Sequence, residues 1–161
     1  MAEWGTHYLD LSEETREELL HYLGKNDETY EKRWTKMSEK RRFFSWNWSA
    51  FFAFTFWSAH RKMYYLSYGY LILSTLFSLL FSSIPDLANL FFGLLIGVLF
   101  ALFSNYFCFV NALRAIRKIK TKIPDRSDRI HYLQTHPGYS WLAFWIYLFV
   151  DIAVTVATSF I

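Results

Sequence analysis

Two long parts of this chain carry almost no charge, and this constrains the fold more than any other feature. Only three of residues 43–113 are charged, and among residues 130–161 the charged residue is Asp151. The average values conceal this pattern, since charged residues make up 19% of the chain and the mean hydropathy is +0.11. Uncharged stretches of about 20 residues or more are typical of helices that cross a membrane.

Three apolar segments are long enough to cross the hydrocarbon core of a bilayer, at residues 64–84, 87–113 and 139–161. Only helices and closed barrels satisfy the backbone polar groups in lipid, and runs without alternation favour helices. The turn at residues 82–86 is so short that it can only join antiparallel neighbours. The sequence therefore predicts an all-α membrane protein with three transmembrane helices, the first two forming a hairpin over 64–113.

The polar head, residues 1–42, predicts two cytoplasmic amphipathic helices. The spacing from Asp10 to Glu13 resembles a capping box with an acidic first turn, and Gly24 is a natural C-terminal stop. A second helix over about residues 27–42 carries one narrow apolar stripe at helical spacing. The stripe consists of Tyr30, Trp34 and Met37. We expect it to pack on the first helix or lie on the membrane surface, and a partner-binding face is the alternative.

Lysine and arginine are distributed unevenly between the segments that join the spans. The turn between the first two spans has none, whereas residues 114–138 contain seven. Because cationic segments stay on the cytoplasmic side, we expect the N-terminus and residues 114–138 in the cytoplasm and the C-terminus outside. The predicted regions are a head at 1–42, an aromatic and basic motif at 43–63, the hairpin at 64–113, a basic cytoplasmic loop at 114–138 and a third span at 139–161.

An aromatic segment, about residues 45–60, precedes the first span and has cations at both ends. Crossing the membrane would place one cation cluster outside, so the pattern favours an interfacial or shallow re-entrant helix over a fourth span. Tryptophan and tyrosine suit that depth because their rings are apolar and each carries one polar group. The candidate interface and anchor residues are Asn47, Trp48, Trp57, Arg61 and Lys62. A site for a lipid phosphate or a partner carboxylate is the alternative for the two cations.

Several short motifs follow one another in a recognisable order. They are Gly24-Lys25-Asn26 with Tyr30 and Trp34, Asn47-Trp48-Ser49-Ala50-Phe51-Phe52, Trp57, Arg61-Lys62-Met63-Tyr64, and the weaker Asn105-Tyr106 and Gly138-Tyr139-Ser140. Over about residues 20–140 the chain resembles a bacterial family of small inner-membrane proteins, catalogued as a domain of unknown function, with the hallmark N-W-x-A-F…W…R-K-M-Y. The resemblance implies a bacterial inner-membrane location and no catalytic residues. The family often has Gly-Pro where Phe54-Thr55 stand here, and an aromatic residue at His60. The absence of Gly-Pro favours a straighter helix.

Asp151 is the sharpest candidate for chemistry because it lies near the middle of the third span. A carboxylate at that depth is costly unless it is paired, hydrated or protonated. Asn105 and Ser74 are expected at similar depths, so the three residues form a candidate intramembrane polar cluster. The cluster predicts either a proton or ion relay or a neutral contact that holds the helices together. A charged group on another subunit is the third alternative.

Two further patterns concern packing and lipid contact. Gly93, Gly97 and Ala101 form a small-residue ridge that lets two helices approach closely, within the chain or between copies. The cations after the second span fit anionic lipid, at about 1 kcal/mol for each cation near the surface. These candidate lipid contacts are Arg114, Arg117, Lys118, Lys120 and Lys122. Nucleic acid binding is the weak alternative.

The sequence predicts no metal or cofactor site. Cys108 is the one cysteine, which excludes an intramolecular disulfide and a cysteine-based metal site. His131 and His136 lack a nearby acidic pair that would complete a metal site. Glycine-rich phosphate loops, zinc-protease motifs and supported Ser-His-Asp patterns do not occur.

Together these features predict a non-enzymatic integral membrane protein of the bacterial inner membrane, either an accessory subunit of a larger complex or a membrane-organising factor. The expected partners are a bilayer with anionic lipids and another membrane protein or a second copy of the chain, without nucleic acid. One alternative is a small oligomeric channel or transporter-like protein that uses Asp151. A second alternative is a membrane enzyme acting on lipid, with Asp151 and Arg61 as its assignable residues.

Overall fold

The computed structural model describes residues 5–80 and 86–160, and their regular secondary structure is helical, without a strand. Two short 3-10 turns cover Tyr8–Asp10 and Gly24–Asn26. The α-helices of the described residues are α1 (Glu13–Leu23), α2 (Asp27–Glu39), α3 (Trp48–His60), α4 (Tyr64–Leu80), α5 (Asp86–Lys122), α6 (Arg126–Thr135) and α7 (Trp141–Thr158). The expected all-helical fold class is therefore confirmed for the described part of the chain.

The described residues fall into two compact units. Unit 1 contains residues 5–46 and 102–139, and unit 2 contains the described residues of 47–101 and 140–160. Helix α5 supplies residues to both units. The predicted head and the predicted basic loop thus share unit 1, although they are far apart in sequence.

Helix α1 begins two residues later than the capping-box spacing indicates. Ser12 is its N-cap, and the Ser12 Oγ accepts a hydrogen bond from the Thr15 backbone N–H at 3.4 Å. Asp10 ends the preceding 3-10 turn, and its carboxylate accepts a hydrogen bond from Arg41 at 2.8 Å. The expected stop at Gly24 is confirmed, because this residue has φ 62° and ends α1 in a backbone conformation that favours glycine.

The apolar stripe of α2 lies in the core of unit 1. The ring centroid of Trp34 lies 5.8 Å from that of Tyr8 and 5.2 Å from that of Phe109 on α5. Tyr30 and Met37 are buried beside it. The stripe therefore packs inside the unit, and α5 is one of the elements that cover it.

Helix α5 has 37 residues and continues well past the predicted end of the second span at residue 113. At ~1.5 Å per residue it is about 55 Å long, almost twice the ~30 Å of a hydrocarbon core. The stretch 114–138, expected to be a loop, is mostly helical, because α5 extends to Lys122 and α6 follows. Lysine and arginine are good helix formers and are favoured at helix C-termini, and Pro124 stands just beyond the end of α5.

Unit 2 contains α3, α4, α7 and the first part of α5. The Ser140 backbone N–H donates to the His60 carbonyl at 2.8 Å, and further along both chains the Tyr147 hydroxyl donates to the Ser67 carbonyl at 3.3 Å. Because both contacts advance in the same sense, α4 and α7 run in the same direction. A core cluster around Ala59 and Tyr147 fills the space between these helices and α3.

Two described helices are long and apolar enough to cross a membrane by length and composition, Leu87–Lys122 and Trp141–Thr158. A third crossing arises only if Trp48–His60 and Tyr64–Leu80, which are bent by 117° at their junction, form one broken span. The alternative for this pair is a re-entrant loop. The end of the predicted first span, at 81–84, and most of the predicted turn 82–86 lie outside the described residues.

Candidate functional site

The aromatic signature begins with a well-capped helix. Asn47 is the N-cap of α3, its side-chain oxygen accepts from the Ala50 N–H at 3.3 Å, and its own N–H donates to the Ala101 carbonyl at 3.1 Å. Trp48 is 61% exposed and its ring stacks on that of Phe52, which is 78% exposed. Asn47 is therefore a structural residue, whereas Trp48 presents an aromatic surface.

Helix α3 is broken at Phe54. This residue has φ 12° and ψ −90°, which is not helical. Its ring packs edge-on against Tyr70 and Phe100, with centroid distances of 4.5 Å and 4.3 Å. The expectation of a straighter helix is wrong, because aromatic packing accompanies a bend here without the Gly-Pro pair.

The two cations of the turn between α3 and α4, Arg61 and Lys62, are less exposed than expected for an anchor at the membrane surface. Arg61 is only 5% exposed, and its backbone N–H donates to the Trp57 carbonyl at 3.0 Å. Lys62 is half-buried and has φ 57°, a left-handed conformation that turns the chain between the helices. Trp57 is buried beside Phe100, so these three candidate residues shape the bend of unit 2.

A polar cluster lies where α3, α4 and α7 meet. The Tyr147 hydroxyl donates to the Ser67 carbonyl of α4 at 3.3 Å. Asp151, one helical turn after Tyr147, interacts electrostatically with the same hydroxyl. Thr55 and Ser67 are buried, and Asp151 is half-buried. Asp151 thus follows a tyrosine that the sequence analysis did not single out, and that tyrosine bonds to α4.

The other two members of the expected polar cluster have local partners. Ser74 donates its hydroxyl to the Leu71 carbonyl of its own helix at 3.1 Å. Asn105 belongs to unit 1, while Ser74 and Asp151 belong to unit 2. A cluster of these three residues therefore remains a prediction, and Asn105 has a structural role of its own.

Asn105 is fully buried and joins three segments of unit 1. Its side-chain oxygen accepts from Arg33 at 3.1 Å, and its carbonyl accepts from the Trp34 indole at 3.0 Å. Its amide group donates to the Ser45 hydroxyl at 2.8 Å and also to the carbonyls of Ser45 and Trp46. This network connects α2 and residues 45–46 to α5.

A buried ion-pair cluster connects α1 with the ends of α5 and α6. Glu18 is fully buried and Arg129 is 7% exposed at its side chain, and the Arg129 Nε donates to Glu18 at 2.9 Å. Arg129 also contacts Glu14 at 2.6 Å, and the Lys120 Nζ lies 3.0 Å from Glu18. At the surface Arg126 pairs with Glu17. The acidic head thus neutralises part of the basic region.

The electrostatics of this cluster follow from its geometry. The charge of Lys120 lowers the pKa of the Glu14 carboxyl, and Arg129 adds to this effect. The hydrogen bond from Arg129 to Glu18 raises the pKa of the guanidinium, which therefore stays charged. Lys120, proposed as a lipid contact from the sequence, is engaged within the protein.

The other four candidate lipid contacts differ in their exposure to solvent. Lys118, Lys122 and Arg117 are exposed near the end of α5, whereas Arg114 is half-buried. Arg117, Lys118 and Lys122 thus remain the most exposed of the five candidates for contact with anionic lipid.

The small-residue ridge is only partly used inside unit 2. Ala101 is fully buried and its carbonyl accepts from Asn47. A methyl group placed on Gly97 would lie 3.8 Å from the ring of Phe51, which is ordinary van der Waals contact. Gly93 has open space around it within the described residues. The ridge therefore serves packing within the chain at one end and is open at the other.

Sequence reasoning missed Glu18 and Arg129, and it missed Thr55 and Tyr147. A signal existed for Glu18, because Glu14 and Glu18 lie one turn apart and the chain has a basic counterpart at 114–129. A signal also existed for Tyr147, which precedes Asp151 by four residues on one helix face. The described residues hold no group of three or more His, Cys, Asp or Glu side chains that is suited to a metal ion.

Comparison with known proteins gives one result. The model of the family described as "Protein of unknown function (DUF2628)" matches residues 12–114, which include the aromatic signature and most of α5. No curated protein and no solved structure matches the chain.

Proposed function

This chain belongs to the DUF2628 family of proteins of unknown function, and within it we propose a non-enzymatic integral membrane protein that acts as an accessory or interaction subunit of a membrane complex. A membrane-organising factor is the closely related form of this proposal. The bacterial inner membrane is the proposed location, with a cytoplasmic N-terminus and a periplasmic C-terminus. The uneven distribution of lysine and arginine supports that orientation.

The observation that carries the proposal is that α5 is 37 residues long and contributes to both units. Its first part has the composition of a membrane span, and its second part forms the core of a folded, charge-rich unit. The outer face of α2 in that unit is highly charged, with Glu28 and Lys32 at 85% and 80% side-chain exposure. A helix that is both span and core of a polar unit is suited to presenting that unit at a membrane surface.

The apolar helices themselves offer a second contact surface. Only 17% and 11% of the most apolar windows of the two long helices are buried inside the protein. On α7 the exposed residues Leu142, Ile146 and Phe149 form one stripe. Lipid covers such a stripe in a monomer, and a second protein covers it in a complex.

Site-specific photo-crosslinking in intact membranes separates these possibilities. A photoreactive residue at Lys32 tests the outer face of α2, and one at Phe149 tests the stripe of α7. An adduct of one defined mass at Lys32 supports a subunit role through the polar unit, and a dimer-sized adduct at Phe149 supports self-association. If neither position gives a protein adduct and the gently solubilised protein is monomeric without companions, the proposal is wrong.

A small oligomeric channel or transporter-like protein is the second candidate, and the position of Asp151 favours it. This carboxylate lies in α7, a helix with a mean hydropathy of 1.8, and makes no hydrogen bond or ion pair with the described residues. Flux measured in proteoliposomes tests this candidate with Asp151→Asn, and Thr155→Val, at an exposed position of the same helix, is the matched control. Equal flux by the wild type and Asp151→Asn would exclude it.

A further inference from the structure

The chain turns sharply after α2, and this turn of unit 1 exposes three consecutive cations. Lys40 is the C-cap of α2, and Arg41 follows in a left-handed conformation with φ 47°. The Arg41 N–H donates to the Ser38 carbonyl at 3.0 Å, and the Arg42 N–H donates to the Met37 carbonyl at 2.9 Å. These two bonds form a Schellman motif, in which glycine usually takes the left-handed position. The turn therefore has a fixed shape, and it holds an arginine where glycine would be less strained.

The two phenylalanines that follow this turn pack on α5. The ring centroid of Phe43 lies 5.0 Å from that of Tyr106, and the ring centroid of Phe44 lies 6.4 Å from that of Phe103. The backbone N–H of the next residue, Ser45, donates to a carbonyl of α5 at 2.8 Å. Phe43 and Phe44 nevertheless remain 37% and 44% exposed. The segment is thus held on α5 with part of both rings uncovered.

Phe103 lies where the exposed face of α5 changes from apolar to polar. The large exposed apolar side chains of α5 in the described residues all lie between Leu87 and Phe103. After Phe103, the exposed positions of this helix are Arg117, Lys118, Thr121 and Lys122. The exposed apolar surface of a spanning helix is expected to end where the hydrocarbon core ends. Residues 40–44 are therefore expected at the level of the lipid headgroups.

Two of the three cations at this turn have no anionic partner in the chain. Arg41 pairs with Asp10 at 2.8 Å, whereas Lys40 and Arg42 form no ion pair with a residue in 5–80 or 86–160. The Arg42 guanidinium lies 5.6 Å from the centre of the Phe44 ring. A cation is thus placed next to an exposed aromatic ring, in a turn whose backbone is fixed.

We propose that Lys40 and Arg42, together with the ring of Phe44, bind the headgroup of an anionic phospholipid of the bilayer. Guanidinium and ammonium groups bind phosphate oxygens, and the aromatic ring suits the boundary between headgroups and acyl chains. Residues 36–44 contain four cations and, as their one acidic residue, Glu39, so an anionic lipid matches this segment better than a zwitterionic one.

The apolar part of this patch favours a lipid over a soluble acidic partner. Phe44 packs on Phe103, so the exposed rings continue the apolar surface of α5 that faces the bilayer. The proposal rests on the membrane location of the proposed function, and it adds a lipid class and the residues that bind it.

Native mass spectrometry of the full chain in mild detergent measures the binding of single lipid molecules. We expect the wild type to bind phosphatidylglycerol about fivefold or more tightly than phosphatidylcholine, and Lys40→Gln/Arg42→Gln to lose about fivefold in affinity for each cation removed. The control Lys25→Gln/Lys32→Gln removes the same charge from exposed positions of the same unit and should keep the wild-type affinity.

A gain of affinity separates lipid binding from damage to the fold. Glu39→Gln removes the acidic residue beside the cations and should tighten the binding of phosphatidylglycerol by about twofold, which an unfolded chain would not show. If the double variant does not fold, Lys40→Gln alone decides together with Glu39→Gln. Unchanged affinity in both of these variants would then overturn the proposal.

Several other results contradict the lipid site. Equal binding of both lipids by the wild type, or unchanged binding of phosphatidylglycerol by Lys40→Gln/Arg42→Gln, would overturn it. Loss of binding only in Lys118→Gln/Lys122→Gln would place the headgroup at the end of α5 instead. Displacement of the lipid by an equal concentration of glycerol phosphate would assign the site to a soluble phosphate compound. Because photo-crosslinking tests the subunit role separately, failure of the lipid site leaves that role intact.

Discussion

The two units differ in the partners that they provide for a carboxylate that is buried or partly buried. In unit 1, Glu18 is fully buried, and Arg129 and Lys120 contact it from segments more than 100 residues away. In unit 2, Asp151 is half-buried and has no cationic partner among the described residues. A buried pair is fixed by the chain itself, while a lone carboxylate leaves room for a group from outside. The first carboxylate therefore belongs to the packing of unit 1, whereas a role for the second stays a prediction.

The units also differ in what holds their helices together. Unit 1 combines an aromatic core around Trp34 with hydrogen bonds and ion pairs between side chains distant in sequence. Unit 2 relies on ring packing, such as Phe54 on Phe100 and Phe56 on Tyr147, with few polar contacts. Changes in charge should therefore disturb unit 1 more, and changes in aromatic volume should disturb unit 2 more.

The largest expected effect is in the ion-pair cluster of unit 1. Glu18→Gln removes the buried counterion of Arg129 and Lys120 and leaves Arg129 only the partly exposed Glu14, so we expect a loss of about 3 kcal/mol of stability. The matched control Glu17→Gln removes only the exposed pair with Arg126 and should cost less than about 1 kcal/mol. Thermal unfolding measures both, and amide hydrogen exchange of α1 and α6 localises the loss. Equal effects of the two variants would contradict the contrast between the units.

A smaller effect is expected at the break in α3. Phe54→Ala removes the ring that packs on Tyr70 and Phe100, and because Phe54 is only half-buried we expect a loss of about 2 kcal/mol. Phe52→Ala, at an exposed ring of the same helix, is the control and should change stability by less than about 0.5 kcal/mol. Unfolding in detergent measures both variants. A larger loss for Phe52→Ala would show that exposed aromatic surface, and not ring packing, holds this unit.

The polar network of unit 2 should contribute less than its aromatic packing. Tyr147→Phe keeps the ring and removes the donor to the Ser67 carbonyl, so we expect a loss of about 1 kcal/mol. Tyr64→Phe, at an exposed tyrosine of α4, is the control and should be nearly neutral. Thermal unfolding measures this loss of stability. A loss well above that of Phe54→Ala would reverse the proposed order of contributions.

The smallest effect concerns the pH dependence of unit 1. Lys120 lowers the pKa of Glu14 in the folded state, so this group stabilises the fold above the ordinary carboxyl pKa of about 4.3 and loses its contribution as the pH falls below that value. Glu14→Gln should flatten the acid side of the stability profile slightly. The control Glu13→Gln should leave that side unchanged. Amide exchange of α1 between about pH 3 and 7 distinguishes them.

Much of the fold could be predicted from local patterns. The stop at Gly24, the buried stripe of α2 and the helical nature of the apolar segments follow from φ preference and hydrophobic periodicity. The start of α1 was misplaced because Asp10 and Ser12 are both good caps, and the ion pair of Asp10 with Arg41 is a tertiary contact. Local rules cannot choose between two adjacent caps when a distant partner decides.

The candidate site could be predicted only in part, because its contacts also come from residues that are distant in sequence. Asp151 is visible in the sequence because it is a single charge in an apolar run. The Ser67 carbonyl that bonds to Tyr147, one turn before Asp151, comes from another helix, and depth along a span does not reveal which helices pack together. The bend at Phe54 was missed because it lacks Gly and Pro and depends on rings that come from two other helices.

The dual membership of α5 has a consequence for biogenesis. The core of unit 1 needs Phe109 and its neighbours, which leave the ribosome after the whole first portion of unit 2. At about 5 to 20 residues per second, the nascent head waits on the order of several seconds, with Trp34 and Tyr30 unprotected. A chaperone or the translocation machinery would meet it in that interval. The order of synthesis thus makes translation of residues 47–101 a precondition for completing the head.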